Sequence, residues 1–344
     1  MKALVQTGPE TVEVTDRERP EIAADEALVA VHASGVCGSD AHAYQYHGGY
    51  EWVQLPRIMG HEYAGTVEAV GPAVTAVSPG DRVVEDPTRR CGHCFQCRNG
   101  QENVCQNFSV KGMHRDGSYA EFTVAEPENL HVVPDGVPLR EAAITEPLSV
   151  AARTVYEQSQ LTPGDTALVE GPGPIGILVA ALADALGASV LVSGLDDDAD
   201  YRLPLAADLG VETVNISERD LGEVASAFTD GVGFDVVFDA TGHRSGIETA
   251  VDRVRKGGQV VVVGLPGESS EVPMADLVRS EVQVETSYGA VWRDFERAIA
   301  ALADGTVDPE TIVDTSFSVD DPDAAFDSFL ESRTCKPMFT FAGT

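Results

Sequence analysis

The stretch Thr166-Ala167-Leu168-Val169-Glu170-Gly171-Pro172-Gly173-Pro174-Ile175-Gly176 states the fold most plainly. Its first five residues are a short, mainly apolar run of the kind that forms a buried strand. Glycines at 171, 173 and 176 follow at once, Ile177 to Leu186 reads as a helix, and Ser189 to Ser193 as a second strand. Strand, glycine turn, helix, strand is the grammar of a dinucleotide-binding unit. Gly171, Gly173 and Gly176 permit the tight turn and a close backbone approach. Pro174 and Ile175 open the helix whose first amides would face a pyrophosphate. The spacing means little by itself; its place between a strand and a helix makes it specific.

Toward the C-terminus, apolar runs recur at Thr213 to Ile216, Phe234 to Phe238, Gln259 to Val263 and Val282 to Thr286. Alternating with helical segments, they predict an α/β domain over residues 151–289 built on a six-stranded, doubly wound parallel sheet. An acid at the end of the second strand would bind the adenosine ribose and repel a 2′-phosphate. Gly194 stands there instead, Asp196 comes two residues late, and Arg202 has the reach to meet a phosphate. NAD and NADP both stay open, tilted toward NADP. The run Asp196-Asp197-Asp198 reads most simply as a solvated loop.

Toward the N-terminus the pattern changes. Short runs at Ala3 to Gln6, Ala27 to Val31, Gly65 to Val70, Asp81 to Val84 and Glu121 to Val124 are separated by turn residues, with little helical pattern between them. They predict a β-rich, barrel-like or sandwiched domain over residues 1–150. Residues 290–344, with a helix over Asp294 to Ala303 and strands near Phe317 to Val319 and Met338 to Phe341, are expected to return to it.

This β-rich part carries the chemistry. Cys91, Cys94, Cys97 and Cys105 form a lobe over about residues 88–108; four thiolates so spaced suit a closed, structural zinc site, with iron–sulfur as the lesser alternative. His93 is surplus to four sulfurs and is expected to be exposed. Gly60-His61-Glu62 sets an imidazole beside a carboxylate. Neighbours in a regular strand face opposite sides, so only a bend at Gly60 brings both to one centre. Cys37-Gly38-Ser39-Asp40-Ala41-His42 offers a thiolate, with Ser39 and His42 able to pass a proton outward. Pro147 marks a helix start, which places Glu146 at a bend where its carboxylate can turn inward.

Composition narrows the function. The 344 residues hold 56 acidic and 23 basic side chains, net −33, with lysine only at 2, 111, 256 and 336. Such charge argues against nucleic acid and fits a halophilic protein whose self-repulsion is screened by salt. No apolar run is long enough to span a bilayer, and Met1-Lys2-Ala3-Leu4-Val5 reads as a first strand rather than a secretory signal. The expectation is a soluble, cytoplasmic protein with no membrane partner, in which clustered cysteines mean metal rather than disulfide.

With Cys37-Gly38-Ser39-Asp40, Gly60-His61-Glu62-x-x-Gly65, the four-cysteine loop and Gly171-x-Gly173-x-x-Gly176 in this order, the chain resembles the zinc-dependent medium-chain dehydrogenase/reductase superfamily over its whole length. The resemblance implies a GroES-like catalytic domain (1–150 with 290–344), a Rossmann domain (151–289), a catalytic zinc between them and a structural zinc. It makes Cys37, His61, Glu62 and Glu146 the catalytic-zinc ligands and Ser39 and His42 the proton relay. Zinc would lower the pKa of a substrate alcohol, whose carbon then gives hydride to NADP or NAD. Glu146-Pro147-Leu148-Ser149-Val150 resembles the sorbitol (polyol) branch rather than the horse-liver type, where a cysteine is the further ligand; Glu146 would bind directly or through water. Tyr44, Tyr46, His47, Tyr50, Trp52 and Arg293 suggest a surface for several hydroxyls. A polyol or sugar is therefore favoured as substrate, ahead of threonine or a simple alcohol; a non-catalytic zinc-stapled nucleotide-binding protein is the remaining alternative. Relatives of this kind are commonly homotetramers.

Overall fold

The computed structural model describes residues 1–47, 49–313 and 315–341. The chain divides into two compact units: Met1–Ser149 with Ala290–Gly305 and Val313–Thr344, and Val150–Gly289 with Thr306–Ile312. They carry a GroES-like, β-rich fold and a Rossmann fold respectively.

The first unit is built around the strand Ala27–Gly35, in which only His32 is not fully buried. It pairs antiparallel with Glu62–Val70, Phe122–Ala125 and Met338–Thr340. Register shifts at Leu28/Val29 and Val31/Ala33 are bulges, which bend and twist the sheet about its core. Leu4, Val29, Val67, Tyr119, Phe326 and Phe339 fill that core. Its last contributors come from the C-terminal end, which the pairing of Met338–Thr340 ties to the first unit.

Glu62–Val70 begins directly after a bend. Gly60 has φ +89°, and a Cβ there would lie 2.3 Å from the Tyr119 ring. A second segment grips the same bend through its backbone: Gly117 N–H donates to Ile58 O, Ser118 N–H to Gly60 O and Tyr119 N–H to Met59 O, at 2.7, 2.9 and 3.0 Å. Gly117 is needed there, since a Cβ would sit 2.2 Å from Met59 O. The turn that carries His61 and Glu62 is thus fixed from both sides.

The second unit is a six-stranded parallel sheet. Counted from Thr166–Glu170, its strands lie in the order 3-2-1-4-5-6: Glu212–Asn215, Ser189–Gly194, Thr166–Glu170, Phe234–Asp239, Val254–Val262 and Gln283–Thr286. The order reverses beside Thr166–Glu170, the switch point where such sheets bind dinucleotides. The helix Pro174–Ala185 follows that strand and is almost wholly buried.

Two local readings need correction. The helix near Glu146 spans Thr145–Tyr156, so it starts before Pro147 and Glu146 lies in its first turn, where a proline costs no hydrogen bond. Tyr44 does not face a ligand surface; it is buried and stacks on Phe326 at 4.4 Å. Trp52, by contrast, is 49% exposed and so free of the core.

Candidate active site

Cys37 is the N-cap of the helix Gly38–Gln45, and its own N–H donates to Asp40 Oδ2 at 3.1 Å. Ser39 and His42 lie three residues apart on this helix and so share a face. Both are half-buried. Burial, then the neighbouring His47, depresses the pKa of His42 and keeps its ring neutral near pH 7. Its Nδ1 is buried and has no hydrogen-bond partner among the described residues.

His61 Nδ1 lies 3.5 Å from Asp40 Oδ1. Burial opposes a charge on His61, but the Asp40 carboxylate and the Cys37 thiol outweigh it and hold its pKa well above the ordinary value. Asp40 is likewise opposed by burial. His61, the Tyr119 hydroxyl donating to Oδ2 at 2.8 Å and the Cys37 amide outweigh that penalty and keep it ionised. A carboxylate behind a ring nitrogen fixes the tautomer and aim of the imidazole.

Glu62 is fully buried, and both its oxygens accept from Lys336 Nζ, at 2.8 and 2.7 Å. Lys336, Asp40 and Tyr119 all escape the sequence reading. Lys336 had one usable signal, the rarity of lysine in this chain, which has four. Lys111, buried 2.8 Å from Glu85, makes the same point.

One donor atom each of Cys37, His61 and Glu62 lies within 4.8 Å of the others. Glu146 stands outside this tight set, half-buried. Burial pushes its pKa up to about 7, with His61 opposing and the Glu62 charge adding to the rise. Sulfur, imidazole nitrogen and carboxylate oxygen form the donor set of a catalytic zinc.

The four-cysteine lobe has simpler geometry. Sγ separations are 3.4 Å for Cys94–Cys97, 3.8 Å for Cys94–Cys105 and 3.5 Å for Cys91–Cys105. Thiolates at about 2.3 Å from one zinc sit roughly 3.8 Å apart, so the sulfurs already approach a tetrahedron. All six cysteines are free thiols, and backbone amides, His93's first, draw Cys91 down to about 5. His93 is exposed, its ring Nδ1 2.6 Å from Cys91 O.

In the second unit, Gly171 has φ +92°, and a Cβ on Gly176 would lie 1.9 Å from Gly171 O, so the helix rests directly on the turn. Gly173, the helix N-cap, would meet nothing within 4 Å, which leaves room for a phosphate against Pro174 and Ile175. Gly194 ends its strand with Pro172 Cγ 2.9 Å from where its Cβ would be. Arg202 Nη1 lies 3.7 Å from Asp198 Oδ1, and Asp198 Oδ2 accepts from Leu195 N–H at 3.1 Å. Asp196 accepts from Asn215 Nδ2 at 2.8 Å. Asp196–Ala199 is thus a short helix rather than the solvated loop expected, and these acids brace its start.

A row of rings leads away from His42. Tyr50 stacks on it at 5.8 Å, Trp52 on Tyr50 at 6.4 Å, and His114 lies 4.4 Å from Trp52. Val110 N–H donates to His114 Nδ1 at 3.1 Å, which leaves Nε2 of the neutral ring as a donor.

The family described as the alcohol dehydrogenase GroES-like domain matches residues 23–135, and that described as zinc-binding dehydrogenase matches residues 174–304. The chain is 34% identical to the sorbitol dehydrogenase of Halalkalibacterium halodurans over 345 residues, 99% of each chain. It is 32% identical to the L-threonine 3-dehydrogenase of Shewanella frigidimarina, over 99% of this chain and 100% of that one. A solved alcohol dehydrogenase of Escherichia coli CFT073, complexed with NADH, superposes with a TM-score of 0.91 at 31% identity over 99% of both chains.

Proposed function

This chain belongs to the zinc-dependent medium-chain dehydrogenase/reductase superfamily, and from that premise we propose that it oxidises a secondary alcohol of a polyol or sugar to the ketone or lactone. It is an oxidoreductase of the alcohol and polyol dehydrogenase kind, acting on CH–OH donors with NAD(P). The observation that carries the finer reading is the buried set Cys37, His61 and Glu62, joined by Ser39 and His42 on the helix that Cys37 caps. Cys37, His61 and Glu62 would hold a catalytic zinc, with Glu146 binding directly or through water; Cys91, Cys94, Cys97 and Cys105 would hold a second, structural one. Bound zinc supplies Lewis-acid polarisation of the substrate oxygen.

The chain's own groups do the rest. Asp40, 3.5 Å from His61 Nδ1, would orient the imidazole toward a bound metal. Ser39 takes the proton leaving the substrate hydroxyl, and neutral His42, on the same helix face, passes it outward. Gly171, Gly173 and Gly176, with the Ile175 N–H at the start of the helix that Pro174 opens, would seat the pyrophosphate of the cofactor. Gly194 in place of an acid, with Arg202 near the same strand end, supports a preference for NADP over NAD.

The exposed Trp52–His114 pair and Tyr50 favour a substrate with several hydroxyls over a small alcohol, because aromatic faces and ring nitrogens offer stacking and hydrogen bonds together. Gln283–Thr286, the last strand of the second unit's sheet, is exposed beside Met274 and Val278 and, among the described residues, pairs only with Val254–Val262, so its other side is open. An open edge with apolar neighbours supports a homo-oligomer, a tetramer by family habit. The acidic composition supports a salt-rich cytoplasm as its setting; no described helix is long and apolar enough to cross a membrane.

The test is nicotinamide reduction across polyols, aldoses, threonine and secondary alcohols, with NAD and NADP in parallel in concentrated KCl. Highest kcat/KM on a polyol or sugar with NADP is expected. Highest kcat/KM on threonine or a simple alcohol would overturn the substrate reading and leave the dehydrogenase class intact.

A further inference from the structure

We infer that His47 is the outer station of the proton route, taking from His42 the proton that leaves the substrate hydroxyl and giving it to water. The inference rests on the Ser39–His42 relay proposed above and adds the step between His42 and solvent. His42 is poorly placed to make that step alone. It is half-buried, and its Nδ1 is buried without a hydrogen-bond partner among the described residues. Tyr50 stacks on its ring at 5.8 Å with 13° between the planes. His47, in contrast, is exposed.

The end of the helix Gly38–Gln45 brings the two imidazoles together. Tyr46 takes a left-handed conformation, φ +55°, which turns the chain back over the last turn. Tyr46 N–H then donates to Ala43 O and His47 N–H to His42 O, both at 3.1 Å. This pair of bonds is a common helix ending, and the residues joined by the longer one usually touch through apolar side chains. Here both positions carry imidazoles. Their ring centres are 5.3 Å apart and their planes 73° apart, close enough for a hydrogen bond or one bridging water to join them. Tyr50 N–H donates to His47 O at 3.3 Å, so the residue that covers His42 also holds the chain at His47.

The hydrogen bonds give the transfer a direction. His47 Nε2 lies 2.6 Å from Gln45 Oε1, and an amide oxygen only accepts. Nε2 therefore carries the hydrogen, and Nδ1 of the neutral His47 ring keeps a lone pair. His42 receives the substrate proton through Ser39 and becomes an imidazolium. It passes one proton to His47 Nδ1, directly or through one water, and returns to the neutral ring that starts the next turnover. His47 then loses its extra proton to water. One proton leaves per alcohol oxidised, and only N–H and O–H bonds are exchanged along the route. Tyr50 and His47 are the titratable groups stacked on the His42 ring. Burial, then His47, disfavours the charged form of His42, which favours the outward step.

The experiment follows proton release in a single turnover of the full-length, zinc-loaded protein, with a pH-indicator dye in weakly buffered KCl near pH 7. The probe is sorbitol, or the fastest alcohol of the panel above if sorbitol is not oxidised, with whichever of NADP and NAD is reduced faster. His47→Gln is expected to slow proton release by about 10-fold and to leave the substrate KM unchanged. Added imidazole should restore the rate in this variant and leave the wild type unaffected. His42→Gln should be slowed at least as much, and the double variant should be no slower than His42→Gln alone, because His47 acts through His42. Unchanged proton release in His47→Gln would overturn the inference. So would a loss that imidazole does not restore, which is the mark of a packing role, or a raised KM in place of a lowered rate, which is the mark of a pocket wall. Losses that multiply in the double variant would overturn it as well. Wild-type proton release in His42→Gln would instead overturn the relay on which the inference rests, and no nicotinamide reduced with any alcohol of the panel would overturn the dehydrogenase reading.

Discussion

Ser39 is the residue whose role separates chemistry from scaffolding most cleanly. It follows Gly38 in the helix that Cys37 caps, half-buried, three residues before His42. Its hydroxyl is the only proton-transferring group between Cys37 and Asp40, and Asp40 is occupied by Tyr119 and the Cys37 amide. Ser39→Ala removes one oxygen and no buried apolar contact. Turnover is expected to fall by about 10²–10⁴, the usual range for a lost proton-transfer group, while metal analysis finds the same zinc content as in the wild-type protein. Full activity in that variant would take Ser39 out of the mechanism. His42 should then show itself in the pH profile: its depressed pKa keeps the relay open near neutrality, and protonation at acid pH closes it.

At the scale of elements, the glycine turn and the strand that feeds it make opposite predictions for neighbouring residues. Gly173 has φ −68° and open space where a Cβ would be. Gly173→Ala should leave the melting temperature nearly unchanged and raise the KM for the cofactor, since the methyl would occupy the phosphate's place. Gly176→Ala puts its Cβ against the Gly171 carbonyl and should destabilise the unit by about 1–3 kcal/mol. Equal stability loss in the two variants would contradict this division of labour. Glu170, at the end of the same strand, is paired in register with Asp239. Burial first, and the Asp239 charge second, push its pKa up to about 9, with Arg253 opposing. Its carboxyl therefore binds a proton in the folded state that the unfolded chain releases near the ordinary carboxylate pKa. Stability must fall as pH rises across that window, by up to about 1.4 kcal/mol per pH unit, and level off above it. Glu170→Gln should abolish this slope and gain stability relative to wild type toward pH 9 in thermal melts; parallel curves for the two proteins would refute the assignment. The strand–glycine–helix order was legible because every part of it is local in the chain. The cysteine lobe was legible for the same reason. The Glu62–Lys336 pair was not, because 274 residues separate its members and no periodicity links them. Tyr44 was misread because an aromatic-rich run does not say which rings turn inward, and the start of the helix at Thr145 was hidden by the proline that its first turn accepts.

At the scale of the whole molecule, charge decides how the fold survives. Net charge is −33. Of the four lysines, Lys111 and Lys336 are buried against Glu85 and Glu62, so only Lys2 and Lys256 serve the surface. Basic side chains are kept where the interior requires an ammonium and nearly eliminated, as lysine, outside. Surface ion pairs such as Lys2–Asp320 and Arg19–Glu68 are solvent-screened and cannot offset repulsion of this size. Mobile cations can, because the screening length falls from about 10 Å near 0.1 M to about 3 Å near 1 M salt. The repulsion is therefore a long-range term that salt removes, whereas the buried pairs are short-range and shielded from it. Raising KCl from about 0.1 M to about 3 M should lift the melting temperature by about 10 °C or more, which corresponds to a few kcal/mol for a chain of this size. Most of the gain should come below about 1 M, where the screening length changes fastest. NaCl should act much as KCl does over that range, since screening depends on ionic strength and not on the identity of the ion. A melting temperature that stays flat over the whole range would mean that the acids lie too far apart in the folded chain to repel, and would remove the salt-rich setting proposed for this protein.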